Sequence, residues 1–257
     1  MIPIGDDNPT LRTPWMTLLI LAATLGVWVL VQGGGLDQLR LAESVCNLGM
    51  VPAELLRTQP VGFAVPMGPE LACLVDAEPI NWLTPITSMF LHGSWTHLIG
   101  NALFLWVFGN NIEDSMGPLR FLLFYLLCGA LAAAAHVAAA PTSPIPTVGA
   151  SGAISAVLGA YLVLYPRARV KLLFYFLIFV RVIQVPAWIA LLWWLGFQVI
   201  SGLPQLSRSE ISGGVAFWAH IGGFVAGVVL VKLFEDPALV EERRRIHDQR
   251  YALAVPG

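Results

Sequence analysis

Six stretches of this chain, at about 16–32, 94–112, 118–139, 151–165, 186–202 and 213–234, are rich in Leu, Val, Ile, Phe, Trp and Ala, and carry no charge except Arg120 and Lys232. A helix needs about 20 apolar residues to cross the hydrocarbon of a bilayer, so runs of this kind leave little choice of fold. The chain reads as an all-α polytopic membrane protein with six spans. Only 12% of its 257 residues are charged, against the about 25% usual in soluble domains. The net charge of -2, with no basic run beyond Arg243-Arg244-Arg245, argues against nucleic acid as a partner.

The organisation follows from these stretches. Residues 1–15 form a short polar head, 16–234 the transmembrane domain and 235–257 a tail. The first stretch lacks the small-residue cleavage site of a signal peptide and is read as the first span. Residues 34–88 mix Pro, Gly and charges with amphipathic pieces such as Leu39 to Leu48, and form a long extramembrane loop. Gly117-Pro118, Pro141 to Pro146, Pro166 and Pro204 mark junctions. Leu172 to Val180 is apolar but short, and Arg167, Arg169, Lys171 and Arg181 bracket it; it reads as an interfacial segment, not a seventh span.

Basic residues set the orientation. With a cytoplasmic N-terminus, the inner side holds Arg12, Arg120, Arg167, Arg169, Lys171, Arg181, Lys232 and the 243–250 cluster, and the outer side only Arg40, Arg57 and Arg208. Both termini are therefore expected in the cytoplasm, with the 34–88 loop outside. The fourth span, Ser151 to Tyr165, is about 22 Å long, against about 30 Å of hydrocarbon. Its Ser151 end is expected about 8–10 Å below the outer face. His220, seven residues into the sixth span, reaches about the same depth. His97 and Asn101, spaced i,i+4 on one face of the second span, join that layer.

A serine between glycines most often does no more than let helices approach, and Gly223 with Gly227 serves the same purpose. A histidine inside the membrane is harder to explain without function. His92 divides evenly between a loop hydrogen bond and a site role, and His136 reads as incidental. Glu113 and Asp114 at the inner end of the second span read as a solvated helix end. Trp188, Trp193, Trp194 and Trp218 read as lipid-facing or interfacial aromatics.

Rival chemistries fail on composition. No His-Glu-x-x-His motif is present for a zinc protease. Between Ser115 and Ser209 there is no Asp or Glu, which removes an aspartyl intramembrane protease and any acidic third member beside Ser151. A serine site here has to be a dyad.

Three motifs now stand in order: His92-x-x-x-x-His97-x-x-x-Asn101, Gly149-x-Ser151-Gly152 and Ala219-His220-x-x-Gly223-x-x-x-Gly227. In these, over roughly residues 82–235, the chain resembles the bacterial rhomboid family of intramembrane serine proteases. The resemblance implies a six-helix bundle with a short, sunken fourth helix, Ser151 as nucleophile and His220 as base. It also implies an oxyanion hole formed by His97, Asn101 and the Ser151 N–H, with Glu113 in a structural role. The family's loop Trp-Arg is replaced here by Leu83-Thr84, with Trp82 shifted by one.

The expected activity is hydrolysis of a peptide bond in or near a transmembrane helix of a membrane-protein substrate, with no metal or cofactor. Two other classes fit a chain of this kind: a catalytically silent relative that escorts membrane helices, and a small channel or transporter. Retention of both Ser151 and His220 argues against the first, and the lack of buried charge against the second. Cys46 and Cys73 in the outer loop either pair in an oxidising compartment or stay as two thiols, while Cys128 lies alone in the third span.

Overall fold

The computed structural model of the chain describes residues 2–67, 71–75, 80–176, 179–207 and 215–254. Strand β1 (Ile2–Asp6) precedes helix α1 (Trp15–Gly26), which runs on through a π turn at Val27–Val31. Pro14 stands at the N-cap of α1 and offers no capping side chain. The cap comes from elsewhere: the Glu113 carboxylate accepts the N–H groups of Met16 and Thr17 at 2.9 and 2.8 Å, and the Thr17 hydroxyl at 2.8 Å. An anion there satisfies the free N–H groups and complements the helix dipole. Asp114 accepts from the N–H groups of Leu11 and Arg12 and from the Arg243 guanidinium. Both acids are buried, which corrects the expectation of a solvated helix end, because the chain termini fold over that end and exclude water.

The 34–88 loop is more ordered than its composition indicates. It holds helices α2 (Gln38–Leu48) and α3 (Pro52–Leu56), the antiparallel strands β2 (Ala64–Pro66) and β3 (Ala72–Leu74), helix α4 (Thr84–Thr87) and a 3-10 turn. Of the two states open to the loop cysteines, the structure has the bonded one: Cys46–Cys73 joins α2 to β3.

The second apolar stretch is one helical path made of α5 (Trp95–Phe104), a π turn at Leu105–Gly109 and α6 (Asn110–Met116). The path widens where Gly109 lies against Thr17, so close that a Cβ there would be 3.3 Å from the Thr17 hydroxyl. Gly117, at φ 77°, turns the chain into α7 (Pro118–Ala139). Then follow α8 (Ser151–Leu164), strands β4 (Arg169–Phe176) and β5 (Phe179–Pro186), and helices α9 (Ala187–Ser207), α10 (Phe217–Phe234) and α11 (Pro237–Ala254).

Helix α8 is the centre of the molecule. Every residue from Ala153 to Tyr161 is buried, so it has no polar face. α7 and α10 cover it, and Phe108, Phe121, Phe124 and Tyr125 fill the core around it. Among the described residues, α7, α9 and α10 are long and apolar enough to cross a membrane; Trp15–Val31 and α8 are apolar but shorter. α9 turns Trp188, Leu192, Trp193, Phe197 and Ile200 outward and exposed. An apolar outer surface of this extent is what lipid, not water, covers.

The chain is mostly helical but not all-α, and here the sequence reading needs correction. The segment read as interfacial belongs to an antiparallel hairpin, β4 with β5, paired from Arg169↔Pro186 to Phe176↔Phe179. β1 from the polar head adds to its edge, with Ile2 opposite Leu173, giving the order β1-β4-β5. Val170 and Leu172 point inward at period two, while apolar Leu173 and Phe174 hide the alternation in the sequence. Val180, Val182, Ile183 and Val185 supplied the β-branched signal.

Candidate active site

Ser151 opens α8 and inherits its position from the irregular backbone before it. That backbone is held by the 34–88 loop: Met50 and Thr147 exchange N–H···O bonds of 3.0 and 2.8 Å, Ala53 N–H donates to Ser143 O, and Gly149 N–H donates to Ser88 O at 2.9 Å. Non-helical chain that packs against an apolar bundle needs partners of this kind for its backbone groups.

His220 comes from α10, and small residues let it approach. A Cβ on Gly223 would lie 2.0 Å from the Gly152 carbonyl oxygen, and one on Gly227 2.0 Å from that of Ala156. At this separation His220 Nε2 is 2.7 Å from Ser151 Oγ. On its other side, Nδ1 is 2.8 Å from Gln198 Oε1 on α9. The Trp194 ring lies tilted at 5.9 Å from the imidazole and the Phe217 ring edge-on at 6.5 Å, so the base is held on several sides.

His97 and Asn101 face the turn before Ser151. A Cβ on Gly149 would be 2.7 Å from the His97 ring and 3.5 Å from Asn101 Nδ2, a close approach that Gly149 allows with φ at 124°. Ser94 caps α5 by accepting the His97 N–H. The Asn101 amide contacts His92 Nε2 at 2.8 Å, and burial, helped by the His97 ring, pushes the His92 imidazole down to about 4. A neutral His92 ring can accept from that amide. His92 is in turn fixed by Gln32, whose side chain accepts the His92 N–H at 2.9 Å and donates to its carbonyl at 2.8 Å. His92 thus stands behind Asn101.

Ser151, His220, His97 and Asn101 line one cavity of about 1340 Å³. His136, read as incidental, is buried on its wall. Trp194, read as a lipid-facing or interfacial aromatic, is half-buried beside His220 instead; Trp193 is exposed as expected. Gln198 was missed by sequence reasoning, although a lone amide in the apolar run 187–202 was its signal. Among the described residues no three His, Cys, Asp or Glu side chains gather in the manner of a metal site. A hydroxyl hydrogen-bonded to an imidazole, beside a helix N-terminus and open to a cavity, can act as a nucleophile with its general base.

The family model for the rhomboid domain matches residues 79–235. The chain is 32% identical over 163 residues to "RHOMBOID-like protein 12, mitochondrial" of Arabidopsis thaliana, covering 57% of this chain and 44% of that protein. It is 29% identical over 164 residues to "Rhomboid protein 1, mitochondrial" of Saccharomyces cerevisiae, covering 62% and 44%. With "Rhomboid protease GluP" of Bacillus subtilis it shares 34% over 147 residues, covering 57% and 25%. The chain thus spans less than half the length of these relatives.

Proposed function

Because the chain belongs to the rhomboid family and is an integral membrane protein, we propose that it is an intramembrane serine endopeptidase that cleaves membrane-protein substrates in or near their transmembrane helices. The observation that carries this reading is the 2.7 Å contact between Ser151 Oγ and His220 Nε2 at the head of α8, open to the cavity. The Bacillus subtilis relative is named a protease, which supports the same chemistry.

In the proposed reaction Ser151 Oγ attacks the scissile carbonyl carbon while its proton passes to His220 Nε2. The tetrahedral oxyanion is held by the Ser151 N–H, the Asn101 amide and the His97 ring. The C–N bond breaks as the imidazolium gives its proton to the leaving amine. A water molecule, deprotonated by the same imidazole, then hydrolyses the acyl-enzyme and restores the Ser151 hydroxyl.

The arrangement in the membrane that fits this reading has six spans, with α8 as the short, sunken fourth. Residues 1–15 and 235–257 are cytoplasmic and the 34–88 loop faces outward, in a bacterial plasma membrane. The basic-residue bias supports it, as does the Cys46–Cys73 bridge, which belongs on an oxidising side.

A fluorophosphonate probe tests the site without any known substrate. The detergent-solubilised protein is expected to label at Ser151, and Ser151→Ala and His220→Ala each to abolish labelling and cleavage of a reporter transmembrane substrate. Wild-type protein that neither labels nor cleaves overturns the proposal.

A further inference from the structure

We propose that Gln198 is a positioning residue for His220: a neutral amide stands where a three-membered serine site carries a carboxylate, and it fixes the tautomer of the base. This rests on the serine-protease reading above and extends it to a residue outside the motifs.

The three side chains form one chain of contacts. Gln198 Oε1 lies 2.8 Å from His220 Nδ1, and His220 Nε2 lies 2.7 Å from Ser151 Oγ. Gln198 is 5% exposed and His220 9%, so bulk water competes little for the contact between them. A neutral imidazole has one N–H and one lone pair, and the partner of one nitrogen decides the state of the other. With Oε1 accepting from Nδ1–H, the lone pair is left on Nε2, facing the Ser151 hydroxyl. In the opposite tautomer Nε2–H points at Ser151, and the base cannot take a proton.

No acid from the helices around the base can do this work, because the sequence has neither Asp nor Glu between Ser115 and Ser209. Gln198 also sits one turn beyond Trp194 on the same face of α9, so one helix supplies both the acceptor and the ring packed on the imidazole. During attack the Ser151 proton moves to Nε2 while the Nδ1 proton stays where it is. The amide oxygen orients the imidazolium but lends it no negative charge. Among the described residues, the titratable rings nearest in effect to His220 are those of His97 and His136, and neither supplies an anion.

The amide and a carboxylate predict different pH behaviour, which gives the test. In the full-length protein in detergent, Gln198→Met keeps the side-chain length and removes the acceptor. It is expected to lower kcat for a reporter transmembrane substrate by about 10- to 100-fold, with KM and the thermal unfolding midpoint little changed. Gln198→Glu is expected to restore kcat and to move the acid limb of the pH profile to higher pH, since a carboxylate favours the imidazolium. A third readout needs no activity: in ¹⁵N spectra the wild-type His220 ring should be protonated at Nδ1, and Gln198→Met should mix the tautomers.

Wild-type kcat in Gln198→Met overturns the proposal, as does an unmoved acid limb in a folded Gln198→Glu or an unchanged His220 tautomer in Gln198→Met. If Gln198→Glu does not fold, the Met variant and the ring spectra still decide. Wild-type protein in which Ser151 does not react with a fluorophosphonate overturns the protease reading itself, a result separate from any effect at Gln198.

Discussion

At Gly149 two demands meet in one residue: a backbone angle of φ 124°, which side chains other than hydrogen rarely tolerate, and a His97 ring only 2.7 Å from where a Cβ would stand. Gly149→Ala therefore has to shift either the turn that presents Ser151 or the ring opposite it. Strain of this kind costs about 1–3 kcal/mol, and fluorophosphonate labelling of Ser151 is expected to slow by at least about tenfold. Gly93 is the control, since nothing lies within 4 Å of its would-be Cβ, and Gly93→Ala should label at the wild-type rate. Ser151, His220, His97 and Asn101 could be singled out from sequence because each is a polar group in an apolar run. Gln198 met the same criterion but lacked a motif to draw attention to it. Glu113 and Asp114 were misjudged for a different reason. Their burial depends on residues about a hundred positions away, Leu11 to Thr17, and no local pattern reports that.

Among the elements, α8 and α10 depend on each other most closely, and their contact is glycine on backbone. Gly223 and Gly227 approach Gly152 and Ala156, while Gly159 returns the contact to Phe224, whose carbonyl oxygen would be 2.2 Å from a Cβ there. Gly227→Ala must push the helices apart. Over-packing of this kind costs about 1–3 kcal/mol. Because His220 rides on α10, the thermal midpoint and kcat are expected to fall together; a fall in the midpoint alone would detach the packing from the site. The helices themselves were legible as apolar runs, whereas the sheet was not, since β1 is a short segment whose partner lies more than 160 residues away. The docking of β1 carries its own pH dependence. Asp6 accepts from the Tyr161 hydroxyl and the Asn111 amide, with Arg243 and Asp7 nearby, yet burial dominates and raises its carboxyl to about 6. A folded value above the ordinary 3.8 means that docking is strongest below about 3.8 and weakens as the pH rises through 6. Hydrogen exchange of the β1 amides is expected to quicken across that range beyond the intrinsic rate, and Asp6→Asn to remove the extra step.

The whole molecule has two ends of different character. At one, the disulfide-linked 34–88 loop braces the turn before Ser151; at the other, the N-terminal segment and α11 meet at Arg243. Its guanidinium donates to Asp114 at 2.9 Å, to Asn8 Oδ1 at 2.8 Å, to the Pro9 carbonyl at 2.9 Å and to Asn111 Oδ1, and lies 4.8 Å from the centre of the Tyr165 ring. One side chain from α11 thereby holds the N-terminal segment, the end of α6 and the residue that closes α8. Arg243 and Asp114 are 5% and 2% exposed, so removing the cation strands a buried carboxylate. Such a loss costs about 3–5 kcal/mol, and the backbone donors from Leu11 and Arg12 that remain to Asp114 place Arg243→Met near the lower figure. The site is at the opposite end of α8, with the buried helix between, so this variant is expected to unfold at lower temperature while the folded fraction keeps its kcat. Thermal unfolding in detergent, paired with active-site titration of the folded fraction, measures both quantities. A drop in kcat per labelled Ser151 without a drop in the midpoint would show instead that the two ends are mechanically coupled through α8.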